Sequence, residues 1–98
     1  MSTKLASTNA AELVPQNAGR RSFVFQNEDT TDSIFIKKER PGNNSVSTTD
    51  HDYKIFPGAT LALNFQTDGD EAIKERWTYI ASANTPRISY IETEDFKR

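Results

Sequence analysis

The sequence predicts an all-β fold, a small antiparallel β-sandwich or barrel with an extended N-terminal arm. Apolar side chains recur with a period of two, turn residues separate these runs, and 98 residues suit a single domain. The predicted division is a flexible arm over residues 1–19, a β domain over residues 20–92 and a C-terminal tail over residues 93–98.

The predicted arm is rich in Ser, Thr, Ala and Asn and carries few large apolar side chains. Such a segment alone buries too little surface to offset its conformational entropy. We interpret it as a frayed terminus or as an arm that lies extended on a neighbouring subunit. In the second interpretation Leu13, Val14 and Pro15 anchor the arm, and Arg20 and Arg21 make polar contacts at its root.

The stretch Arg20–Lys38 has the pattern of a β-hairpin. Phe23 and Phe25 share one parity, and Ile34 and Ile36 repeat it after a polar turn. A period of two places alternate side chains on opposite faces of a sheet. The pattern therefore predicts two paired strands with one buried face.

Further strands are expected after this hairpin. They are Tyr53–Phe56, Ala59–Gln66, Arg76–Ser82 and Arg87–Glu92. Aromatic side chains at Trp77, Tyr79 and Tyr90 are predicted to be buried or half-buried cross-strand neighbours. A sugar-stacking platform is the alternative for these rings.

The longest predicted loop, Arg40–Asp52, is the candidate for a variable recognition loop, because long loops in compact domains often carry contacts. His51 lies in it between Asp50 and Asp52 and is the only histidine. A hydrated loop is the favoured interpretation of this trio. Metal binding or pH sensing is the alternative.

Charge and composition argue against several classes of function. The 12 basic and 14 acidic side chains nearly cancel, so the chain lacks the cationic surplus of an electrostatic nucleic-acid binder. It contains no cysteine, which fits a reducing compartment. No window approaches the roughly 20 apolar residues of a membrane span, and the N-terminus does not resemble a secretory signal. We therefore expect no nucleic-acid or membrane partner and a chain that is intracellular when made.

The sequence also predicts that the protein is not an enzyme. His51, the only histidine, lies in a polar loop without a nucleophile elbow nearby. Phosphate loops, dinucleotide fingerprints and histidine clusters are missing from the sequence. No catalytic residue, cofactor or metal site is predicted.

The order of the motifs resembles a group of small tailed-bacteriophage virion proteins. The motifs are R-x-x-x-x-x-Q-N, I-x-I, x-P-G-x-x-L-x-L, W-x-Y-I-A-S and a final strand ending in Glu. In this chain they fall at Arg20–Asn27, Ser33–Lys37, Phe56–Leu63, Trp77–Ser82 and Arg87–Glu92. The resemblance implies compact β modules that decorate heads or build fibre and tail attachments, often as symmetric oligomers with N-terminal arms that grip neighbours.

From this resemblance we expect a capsid decoration or cement protein that binds and stabilises the head lattice. The expected partners are the major capsid protein or another virion protein, and further copies of the chain, with a trimer as the first expectation. The expected location is the virion, after assembly in the host cytoplasm. Two alternatives remain open: a glycan- or host-surface-binding module of a fibre or tail that uses Arg40–Asp52, and a small protein-binding regulator.

Overall fold

A computed structural model of the chain describes residues 2–17, 20–40, 42–64 and 75–94. Within these ranges the chain forms eight strands and no helix. The first four strands are β1 (Ser2–Leu5), β2 (Ala11–Val14), β3 (Arg20–Asn27) and β4 (Ile34–Lys38). The other four are β5 (Tyr53–Ile55), β6 (Thr60–Asn64), β7 (Trp77–Ala81) and β8 (Arg87–Glu94).

The strands form two antiparallel four-stranded sheets that pack face to face. Sheet A has the order β1-β8-β3-β6, and sheet B has the order β2-β7-β4-β5. The first four strands thus pair with the last four in reverse order, β1 with β8, β2 with β7, β3 with β6 and β4 with β5. This wrapped order is that of a jelly roll. The predicted all-β class is confirmed. Of the two predicted architectures, sandwich and barrel, the chain forms the sandwich.

The core lies between the sheets and is built from the predicted alternation. Phe23 and Phe25 of β3 project inward, with ring centroids 4.5 Å apart. Trp77 of β7 meets Phe23 from the opposite sheet in an edge-to-face contact of 5.7 Å. Each fully buried large apolar side chain contributes about 1.5–3 kcal/mol. The fold therefore depends on strands of both sheets being present together.

The predicted hairpin over residues 20–38 does not form. Both segments are strands, but β3 lies in sheet A and β4 lies in sheet B. The connecting residues arch between the sheets around the buried side chain of Asn27. Its amide nitrogen donates to the carbonyls of Asp32 at 2.8 Å and Ile55 at 3.0 Å. A polar side chain at an inward position thus replaces the tight turn that a hairpin requires.

The predicted N-terminal arm is also corrected. Residues 2–5 form β1 on the edge of sheet A, and residues 11–14 form β2 on the edge of sheet B. The domain therefore begins at residue 2 in the described chain rather than at residue 20. At the other end β8 continues to Glu94, so two residues of the predicted tail are strand. Residues 95–98 lie outside the described ranges.

Candidate functional site

Two of the three residues predicted to anchor an arm, Leu13 and Val14, are buried inside the domain. Leu13 and Val14 are 0% and 1% exposed, because a register shift between Glu12 and Val14 turns both side chains inward. Pro15 is exposed. The side chain of Arg21 lies outside the described part of the chain, although its backbone belongs to β3.

Arg20 is a structural cross-link rather than a surface contact. A register shift between Arg20 and Ser22 turns its guanidinium into the end of the sandwich, where it is 1% exposed. There it donates to the carboxylate of Glu92 at 2.7 Å and to the carbonyls of Glu75 at 3.0 Å and Pro15 at 2.6 Å. The planar fork of a guanidinium suits several acceptors at once. Arg20 therefore joins segments that are distant in sequence.

The candidate recognition loop, Arg40–Asp52, is fastened to the outer face of sheet B. Glu39, just before it, is buried and accepts hydrogen bonds from the backbone nitrogen of Ser45 at 2.9 Å and from that of Val46 at 3.3 Å. It also accepts one from the hydroxyl of Ser45 and one, at 2.5 Å, from the hydroxyl of Thr78 in β7. Burial raises the pKa of this carboxyl, but the four donors together lower it by more, so the net pKa lies below the ordinary value of 4.5.

Arg76 fastens the start of the same loop. Its guanidinium is buried and donates to the carbonyls of Arg40 at 3.0 Å and Asn43 at 2.7 Å. It also donates to the side-chain oxygen of Asn44 at 2.6 Å and to the carboxylate of Glu12 in β2 at 2.6 Å. Loop residues 42–45 remain exposed at the surface above this network. The loop is thus a preorganised cover on sheet B.

The acidic and histidine residues of the loop are engaged separately. Asp50 pairs with the ammonium of Lys37 at 2.8 Å, which raises the pKa of that lysine. Asp52 accepts from the backbone nitrogen of Lys38 at 2.8 Å. His51 packs on the ring of Phe35, with centroids 4.6 Å apart. Among the described residues no group of three or more His, Asp or Glu side chains is placed to hold a metal ion.

The aromatic residues divide between core and surface. Trp77 and Tyr79 are buried and Tyr90 packs against the core, which confirms their predicted structural role. Burial, and to a smaller extent Tyr90, raises the pKa of Tyr79, whose hydroxyl donates to the carbonyl of Leu5 at 3.0 Å. Phe56 is 57% exposed, and the ammonium of Lys54 lies 4.6 Å from the centre of its ring. Because Trp77 is buried, a sugar platform built on its ring is ruled out.

The outer face of sheet A is the surface that sequence reasoning missed. The outer face of sheet A denotes the outward side chains of its four strands, as far as the structure describes those side chains. They are Thr3, Leu5, Ser22, Val24, Gln26, Thr60, Ala62, Arg87, Ser89 and Ile91. Arg87 is the only charged residue in this set, whereas 27% of the whole chain is charged.

Apolar and small polar residues form two adjacent rows across this face. One row runs from Ile91 of β8 through Val24 of β3 to Ala62 of β6. Ile91 is 46% exposed, and Leu5 near the corner is 61% exposed. The neighbouring row contains Ser89, whose hydroxyl is buried without a hydrogen-bond partner in the described structure. The signal in the sequence was the lack of charge at the outward positions 22, 24 and 26 of β3 and 60 and 62 of β6.

Comparison of the chain with protein-family models, with curated proteins and with solved structures found no match. None of the residues that the structure describes forms a helix long and apolar enough to cross a membrane. The geometry of the surfaces is therefore the basis for proposing a function.

Proposed function

We propose that this chain is a non-enzymatic structural protein of a tailed-bacteriophage virion, a capsid decoration or cement protein that binds the head lattice through the outer face of sheet A. The observation that carries the proposal is the charge-poor composition of that face. Depletion of charged side chains distinguishes the centres of protein–protein interfaces from ordinary surface. A partner that covers this face would bury Ile91 and Leu5 at little electrostatic cost.

The size of the face favours many weak contacts over one strong contact. With strands about 4.8 Å apart and a rise of about 3.4 Å per residue, such a face covers on the order of 300 Å². A stable interface buries about 800 Å² on each partner. A single copy is therefore expected to bind weakly. Copies that are linked to one another and bind a repetitive lattice gain from multivalency.

The fold is compatible with this role but does not select it. Jelly rolls occur in viral capsid proteins, lectins and cupins. Because so many functions share this fold, the fold alone does not indicate which of them the chain performs. The resemblance of the β3 to β8 motifs to phage virion proteins is what favours the capsid over the other jelly-roll roles. The proposed partners are the major capsid protein or another virion protein, and the proposed location is the virion.

Quantitative mass spectrometry of purified virus particles tests the virion role. Hundreds of copies per particle are expected for a decoration protein. A dozen copies would move the chain to a connector, tail or fibre, and no copies would overturn the virion role in favour of a cytoplasmic protein-binding regulator.

The docking face is tested by adding back purified protein to particles that lack it. Ile91→Lys places a charge at the centre of the face and is expected to weaken attachment by about tenfold or more, since about 1.4 kcal/mol corresponds to a factor of ten. Thr48→Lys, on the exposed loop over sheet B, is the matched control and should attach normally. Equal attachment of both variants would exclude sheet A as the docking face.

Binding of glycans on a fibre or tail is the second candidate, and the exposed ring of Phe56 beside Lys54 is the observation in its favour. Tyr53, 36% exposed on the same strand as Lys54, is the remaining accessible aromatic side chain of this region. Saturation-transfer NMR with a glycan library distinguishes the candidates. Transfer that disappears in Phe56→Ala would support this role, and absence of transfer to any glycan would dismiss it.

A further inference from the structure

The strands at the edges of the two sheets differ in their protection against pairing with another chain. An edge strand presents unpaired backbone groups, and proteins usually protect it with charges, prolines, bulges or short length. β2 has three such devices, since it carries Glu12, contains a register shift and is followed by Pro15. β5 has only three residues, carries Lys54 and is followed shortly by Pro57.

The edge strand β1 of sheet A is protected by an inward-pointing charge. The ammonium of Lys4 donates to the carbonyl of Leu13 at 2.5 Å and lies 5.9 Å from the centre of the Tyr90 ring. A strand from another chain that paired with β1 would have to leave this half-buried amine and its hydrogen bond undisturbed. Inward-pointing charges are a known way to discourage edge-to-edge association.

β6, at the opposite edge of sheet A, has none of these devices within its own five described residues. Its sequence, TLALN, contains no charge, proline or glycine. Its register with β3 runs from Thr60 to Asn64 without a shift, so the strand is regular over its whole length. In the described part of the chain it pairs with β3 alone. β6 is therefore the edge on which addition of a strand meets the least resistance.

We propose that β6 is an association edge, where a second copy of this chain adds its own β6 in antiparallel orientation across a two-fold axis. The sequence is self-complementary in this arrangement. With Ala62 on the axis, Leu61 lies opposite Leu63 of the second copy, and Thr60 lies opposite position 64. No like charges oppose one another, which is the condition that a symmetric contact must satisfy.

The inner face of β6 gives the second copy a further reason to bind. Leu63 is buried in the core, while Leu61 is only half-buried at the edge. Antiparallel pairing of two β6 strands covers the exposed part of Leu61 with Leu63 of the other copy. The two A sheets then become one continuous sheet, which doubles the charge-poor outer face. This proposal does not depend on the virion role.

Measurement of mass in solution tests the pairing. The wild-type chain is expected to sediment at twice its mass of 11.1 kDa, and Ala62→Lys to sediment as a monomer. Two lysines at the axis oppose each other directly, so the dissociation constant should rise on the order of a hundredfold. Ala62 is exposed, so the variant keeps the core intact. Thr3→Lys, on the same face but at the protected β1 edge, is the matched control and should remain dimeric.

A mixture of Ala62→Lys and Ala62→Glu provides the decisive rescue. Opposite charges then meet at the axis, so the mixed sample should regain the dimer mass although each variant alone does not. Hydrogen exchange should show slower exchange of amides 60–64 in the wild type than in Ala62→Lys. A wild-type monomer at millimolar concentration, a trimer, or a mixture that stays monomeric would each overturn the proposal.

Discussion

Replacement of Glu39 by Gln tests the network that holds the loop on sheet B. Gln has the same shape but only one acceptor oxygen, and its amide donors would face the donors of Ser45 and Thr78. Hydrogen bonds to a charged group contribute about 1.5–3 kcal/mol each, so loss of the charge and of one acceptor should cost about 3 kcal/mol. This is a large part of the roughly 5–15 kcal/mol that stabilises a domain of this size.

Urea denaturation followed by circular dichroism measures this loss. With an m-value of about 2 kcal/mol per M, the midpoint of Glu39→Gln should fall by about 1.5 M near pH 7. Glu28→Gln changes an exposed carboxylate in the β3–β4 connection and is the matched control, with a midpoint close to wild type. Amide exchange at Ser45 and Val46 should accelerate in Glu39→Gln, since both amides lose their acceptor.

The pH dependence gives the same prediction a second test. The pKa of Glu39 is lower in the folded chain than its ordinary value of 4.5, so the carboxylate stabilises the fold above that value. This stabilisation is lost as the pH falls below 4.5 through the folded pKa. The difference in stability between wild type and Glu39→Gln should therefore shrink on acidification. Equal midpoints near pH 7, or a difference that persists in strong acid, would refute this account of the network.

Two other substitutions and one fluorescence measurement test the interior. Arg20→Lys should cost about 2–3 kcal/mol in urea denaturation, because an ammonium cannot satisfy all the acceptors of the guanidinium, whereas Arg40→Lys on the surface should cost little. Asn27→Ala should cost a similar amount, about 2–3 kcal/mol, because it removes the side-chain donor to the carbonyls of Asp32 and Ile55, and a wild-type midpoint would exclude the arch geometry. The fluorescence of Trp77 should be blue-shifted and resistant to iodide, and easy quenching would contradict its buried position.

Strand positions were predictable wherever inward residues are large and apolar. The alternation of Phe23 with Phe25, of Ile34 with Ile36 and of Leu61 with Leu63 was legible because each pair fills the core. The same pattern does not state which strands pair. β3 and β4 are neighbours in sequence, yet β3 pairs with β6 and β8. An arch between two sheets and a hairpin within one sheet produce the same alternation of apolar residues, so the sequence pattern does not distinguish them.

The strand β1 was missed because a charged residue occupies an inward position, and β2 was missed because its register shift turns two adjacent residues, Leu13 and Val14, inward and breaks the alternation. Lys4 points inward in β1, and its ammonium donates to the carbonyl of Leu13. The pairing partner of β1 is β8, at the other end of the sequence, and local patterns carry no information about so distant a contact. Arg20 was misassigned for a related reason: the register shift beside it reverses the parity that alternation would give.

The candidate surface follows from a difference between the two outer faces. Residues 39–52 cover sheet B, where Phe35, Thr78 and Val46 are buried on its outer side. The described chain places no comparable cover on sheet A, whose central residue Ile91 stays exposed. The chain thus concentrates its charged loop on one side and leaves the other side charge-poor.

The two surfaces proposed on sheet A are separable by experiment. Ile91 lies on β8, which is two strands from the β6 edge, so Ile91→Lys should lose particle attachment while it keeps the mass of a dimer. Pairing through β6 doubles the face to about 600 Å², still below the roughly 800 Å² of a stable interface. A dimer should therefore detach readily from an isolated capsid subunit and remain bound to an intact lattice. Equal affinity for the isolated subunit and the intact lattice would show that attachment does not depend on multivalent binding to repeated sites.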